Sequence, residues 1–175
     1  MIPDLDRVLE PGYLADVAEA PIDRIRAMRV ECADLEYGVS YVRRLAQGRL
    51  DLLAEETRRR AAGGGGDLSD LVAGLADMMS DGVRGPASGR VDQQLDPPEH
   101  VVAPLAAVLD DTVGAAIVTG VADIDDPALA GAVTSLRHFE ERLSSIRQRL
   151  HTAIDALNNE LARRIANGES SAGPA

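Results

Sequence analysis

Apolar side chains recur at Leu129, Ala132, Leu136, Phe139, Leu143, Ile146, Leu150, Ala153 and Leu157, in steps that alternate 3 and 4 without a break. That is a heptad seam, and a helix with such a seam needs another helix lying along it. A candidate partner is in the same chain. Ile25, Met28, Cys32, Leu35, Val39, Val42 and Ala46 keep the alternation, Arg49 interrupts it, and Leu53 takes it up again. With one Phe, three Tyr and no Trp, any core between the two helices has to be aliphatic.

Punctuation sets the bounds. Residues 1–20 are acidic, contain Pro3, Pro11 and Gly12, and read as an irregular lead-in. The first long helix is predicted over 21–62, with Pro21 as its first residue, Asp23 in the first turn, Arg58, Arg59 and Arg60 against the C-terminal dipole, and Gly63 as the stop. Residues 63–98 read as a Gly-rich link, a short amphipathic helix over 67–81 and a Pro/Gly linker. That short helix suits either partner docking or packing on its own core. Residues 99–126 are ambiguous: Val101 to Leu109 as a helix broken at Pro104, Ala115 to Val121 as a short strand or an extended docking segment. Asp126 as an acidic cap and Pro127 in the first turn start the second long helix, over 127–167. Asn167-Gly168 ends it, and 168–175 reads as a disordered tail.

Charge is unevenly placed. The formal net charge is −11, and all 18 basic residues are arginine. Residues 22–61 and 127–166 each carry +2, leaving −15 elsewhere, where Arg7, Arg84 and Arg90 are the only cations. Such a remainder argues against binding DNA or an anionic membrane there, and suits a basic partner as well as plain solubility. Without lysine there is no Schiff base and no phosphate-loop lysine. Gly63 to Gly66 lacks the Gly-Lys-Ser/Thr ending and no strand precedes it, so it reads as a link. Cys32 is the sole cysteine, which excludes an intrachain disulfide. The first residues show no signal-peptide pattern, and no run approaches 18 apolar residues, which predicts a cytoplasmic protein.

Two polar stripes carry the functional information. Glu36, Ser40, Arg43, Gln47 and Asp51 are spaced 4, 3, 4 and 4. On a helix they fall within an arc of about 80° and extend about 22 Å. Glu140, Ser144, Arg147, His151 and Asp155 repeat the spacing with four of five residue types unchanged. Register matters more than composition. Glu36, Ser40, Arg43 and Gln47 each follow a seam residue, and so do Glu140, Ser144, Arg147 and His151. Both stripes therefore flank the joint if the seams zip together. Gly38 and Gly48 lie beside the first stripe, where small residues would let a planar ligand or a second helix approach, or where chance alone places them. One such stripe alone is an ordinary solvated flank of a coiled coil; two in matching register point to a duplicated binding element. Arginine pairs with guanine O6 and N7 or stacks on a base, and carboxylates accept from guanine N1–H and its exocyclic amine. Ser, Gln and His serve phosphate or ribose oxygens. A bare phosphate would disfavour Glu and Asp, so a guanine nucleotide fits better.

The paired E-x3-S-x2-R-x3-Q-x3-D pattern resembles the signature of RsiG, the actinobacterial anti-sigma factor family armed by cyclic di-GMP. The first copy matches throughout; in the second, His151 replaces Gln. The resemblance implies an all-α fold in which two long helices form an antiparallel coiled coil, with a short connecting helix and flexible linkers. It also implies that each motif holds one cyclic di-GMP, the two ligands stacking as a dimer. The loaded protein then sequesters a sporulation-type sigma factor, WhiG-like, from RNA polymerase, one copy per sigma factor. Neither a metal nor catalysis is expected. His100, His138 and His151 make no spaced cluster with Cys32, the His138 and Glu141 pair has no counterpart, and Ser40 and Ser144 have no adjacent base.

Overall fold

A computed structural model of the chain describes residues 2–63 and 97–169. The helix expected over 67–81, most of the linker ahead of Pro97 and the tail beyond Glu169 lie outside the described residues. Those residues form five helices and no strand: α1 (Pro3–Val8), α2 (Ile22–Ala61), α3 (Glu99–Thr112), α4 (Ala115–Thr119) and α5 (Asp126–Ala166). The fold is all-α, a helical hairpin of α2 and α5. None of these helices is long and apolar enough to cross a membrane.

The chain divides into two compact units. The first lies within Met1–Arg43, Pro97–Ala107 and Glu141–Ala175; the second lies within Arg44–Asp96 and Val108–Glu140. In the first, Ile25, Cys32, Leu35, Val39 and Val42 of α2 are buried, as are Leu143, Leu150, Ala153 and Leu157 of α5. In the second, Ala46 and Leu53 are buried, as are Leu129, Leu136 and Phe139. Ile146 alone of the second seam is only half-buried. Direction is fixed within each unit. Arg164, near the end of α5, donates to the Ala18 carbonyl just ahead of α2 at 2.6 Å. Arg60, at the end of α2, donates to Asp126 at the start of α5 at 2.7 Å. The helices are antiparallel in both.

Helix ends follow the sequence closely, with one shift. The α2 helix stops at Gly63 in the left-handed region (φ +92°), and α5 stops at Gly168 (φ +82°), a conformation glycine adopts without steric penalty. The cap of α5 is Asp125, not Asp126: its Oδ1 accepts from the Ala128 amide at 2.8 Å, which leaves the Asp126 carboxylate for Arg60.

Two segments depart from expectation. The lead-in is not irregular throughout: Pro3–Val8 is a helix whose Leu5 and Val8 are buried. Arg7 is ion-paired with Glu31 of α2, and Tyr13 donates to the same carboxylate at 3.0 Å. Residues 99–126 contain no strand, and Pro104 lies inside α3 without breaking it. The ring lacks the N–H that would bond the carbonyl of His100, an exposed residue. The α3 helix lies close on α2: an ideal Cβ on Gly38 would sit 2.6 Å from Val101 Cγ1. Of the two approaches Gly38 permits, the one seen is that of a helix. Among the described residues nothing lies within 4 Å of a Cβ on Gly48, so none of them makes such a contact there.

Candidate functional site

Each stripe is built by its helix, because the seam turns one face inward and fixes the flank beside it. In the first unit Glu36 Oε1 is a hub. It accepts from Ser40 Oγ at 2.6 Å and from Arg147 Nε at 3.0 Å, and His151 Nε2 lies 3.2 Å away. Arg147 Nε also reaches Ser40 Oγ at 3.0 Å. Ser40 is buried, whereas the Arg147 side chain is 41 % exposed. Nε is the Arg147 atom held by these contacts; its two terminal nitrogens bond no described residue. A planar donor pair is thus oriented from behind and left available in front. Arg43 and Ser144 stand half-buried on their helices in the same unit.

In the second unit Gln47 Nε2 donates to Glu140 Oε1 at 3.2 Å. The same two motif positions therefore meet in each unit: the leading carboxylate of one copy faces the fourth residue of the other, Glu36 with His151 and Glu140 with Gln47. Imidazole takes the place of the amide without breaking the pairing. The structure does not draw Asp51 and Asp155 into these clusters. Both are exposed and bond no described residue.

Sequence reasoning missed a second repeated arrangement. Glu56 is inaccessible to solvent and is held by Arg59 (2.7 and 2.8 Å) and by Arg60 Nε (2.6 Å). Arg60 then reaches the carbonyls of Val121 (3.0 Å), Ala122 (3.4 Å) and Ile124 (2.8 Å). In the first unit Glu160 is held by Arg163 and Arg164, and Arg164 reaches the carbonyls of Val17 (3.4 Å) and Ala18 (2.6 Å). These hydrogen bonds from arginine hold the carboxyls of Glu56 and Glu160 at about 2, well below the usual carboxylate range. The signal was present: E-x2-R-R occurs at 56–60 and 160–164, offset by 104 residues like Glu36 and Glu140. The carbonyls reached, 17 and 18 against 121 and 122, keep that offset. These are clamps that fasten each long helix to the segment leading into the other. Arg58–Arg60 were expected to serve only the helix dipole; Arg59 and Arg60 serve the buried carboxylate as well.

Among the described residues no group of three or more His, Cys, Asp or Glu side chains is placed to hold a metal. Burial pushes the Cys32 thiol up, as befits a core residue.

The sequence matches the RsiG-like family model over residues 11–77 and 117–174, more than half of the chain and including both stripes and both clamps. The chain belongs to the RsiG-like family. No curated protein and no solved structure matches it. Membership in the RsiG-like family carries an anti-sigma factor role, regulatory rather than enzymatic, and a sigma factor as partner. The α1 and α3 helices fall outside the matched residues, as do the first two residues of α4.

Proposed function

We propose that the chain is a cyclic di-GMP-dependent anti-sigma factor. Its two stripes, Glu36, Ser40, Arg43, Gln47, Asp51 and Glu140, Ser144, Arg147, His151, Asp155, each bind one ligand, and the loaded protein holds a sporulation-type, WhiG-like sigma factor away from RNA polymerase. The observation that carries the reading is Arg147. Its Nε is fixed by Glu36 and Ser40 while its terminal nitrogens bond no described residue, the presentation that paired recognition of guanine O6 and N7 requires. Two ligands bring four phosphate charges, and the +2 of each long helix offsets part of them. Glu36 keeps Ser40 and Arg147 on Oε1, and its Oε2, which bonds no described residue, is the acceptor for guanine N1–H or the exocyclic amine.

The alternative reading, a ligand-free coiled-coil adaptor, draws on the same cluster taken as an interhelix polar network. Titration calorimetry with cyclic di-GMP, with and without the purified sigma factor, separates the two. The sensor reading expects saturable uptake of two ligands per chain and nucleotide-dependent capture of the sigma factor. No heat with any guanine nucleotide, together with sigma binding indifferent to nucleotide, leaves the adaptor.

A further inference from the structure

Away from the stripes, the first unit has an open cleft of about 450 Å³ where α1, α2 and α3 meet. Its floor is apolar: Ala27, Val30 and Leu35, with Val30 half-exposed. Its rim is acidic: Asp4, Glu31 and Asp34, against Arg26 and His100. The charges are not equivalent. Glu31 is already ion-paired with Arg7, and Arg26 is ion-paired with Asp23 at 2.9 Å. Asp4 is only 3.7 Å from Arg7, at the loose end of an ion pair. Asp34 is half-buried and bonds no described residue. After internal pairing, Asp4 and Asp34 leave the cleft about two negative charges over an apolar floor.

An amphipathic cation matches that combination. Arginine and lysine lay an aliphatic stem along apolar surface and present their charge beyond it. We infer that this cleft docks a basic segment of the held sigma factor, an arginine or lysine stem lying over Val30 and Leu35 with its head on Asp34. The inference rests on the proposed anti-sigma function, and it adds a contact that no motif residue makes. It also gives a task to helices α1 and α3, which the family match does not cover.

The test measures capture of the purified sigma factor by the full chain at saturating cyclic di-GMP, for the native protein, Asp34→Asn, Asp34→Arg and Val30→Glu. Asp34→Asn is expected to weaken capture about 3- to 10-fold and flatten its salt dependence, since one screened charge pair is lost. Asp34→Arg and Val30→Glu are expected to weaken it more than 10-fold, with ligand uptake and the helical circular-dichroism signal unchanged. Asp34→Asn alters no ion pair of the fold, so it serves where a bulkier variant loses structure. If the native chain holds no sigma factor, the proposed function falls and this inference with it. If the native chain holds it and every folded variant holds it equally well, the cleft inference alone is overturned. If light scattering shows native dimers that the variants break while capture is untouched, the occupant is a second copy and the inference is likewise overturned.

Discussion

Glu36 gathers a hydroxyl, a guanidinium and an imidazole around one carboxylate, and that crowding sets what single substitutions do. Arg147→Ala removes a donor pair worth about 1–3 kcal/mol to a guanine edge, so cyclic di-GMP affinity is expected to fall about 5- to 150-fold. The loss also strips Glu36 and Ser40 of a partner, but both keep their mutual bond at 2.6 Å, and helical circular dichroism should hold. Unchanged affinity in Arg147→Ala and in Arg43→Ala, measured by calorimetry, would remove the stripes from the site. At this scale the sequence was informative because helical spacing turns residue numbers into angles. It placed Glu36, Ser40, Arg43, Ser144, Arg147 and His151 along one kind of flank. It had no means of showing that Glu36 would already be engaged, since that depends on the level at which the two helices pair.

At the scale of elements the two glycines of α2 make opposite claims. Gly38→Ala drives a methyl to within 2.6 Å of Val101, which is fully buried and has no room to retreat. Overpacking of this kind costs about 1–3 kcal/mol, so urea denaturation should show a loss of that size as α3 is pushed off α2. Gly48→Ala meets no described residue and is expected to stabilise the helix by about 1 kcal/mol. The residues alone left both glycines open to close approach or to chance; which one received a neighbour turned on α3. That helix was itself poorly legible. Long seams repeat often enough to average out local exceptions, whereas α1 and α3 are short and lie against α2, as the Arg7–Glu31 pair and the Val101 contact show. Arg49 makes the same point from the other side. It reads as a break in the seam, and in the structure it donates to the Val113 carbonyl at 2.6 Å and pairs with Asp110, fastening the end of α3.

For the whole molecule the clamps determine the response to acid. Glu56 and Glu160 have folded values of about 2, below the ordinary carboxylate value of 4.5. A group depressed in this way adds stability that is fully present above its unfolded value and disappears as pH falls through the folded one. The window is therefore about pH 4.5 down to about 2. Glu56→Gln removes charge-assisted bonds from two arginines at a site closed to water, and about 2 kcal/mol of stability at pH 7 is expected to go with them. The gap between native chain and variant should then shrink as pH drops through that window, because acid removes from the native chain what the substitution already took. Glu160→Gln should behave alike in direction, with a smaller effect, since its side chain keeps 14 % exposure. Arg60→Ala separates the two tasks of that clamp. It leaves Arg59 on Glu56 but frees the Val121, Ala122 and Ile124 carbonyls, so it should loosen the segment ahead of α5. Hydrogen exchange at residues 121–128 measures that loosening, and protection there equal to the native chain's would show that the segment is held by something other than this arginine.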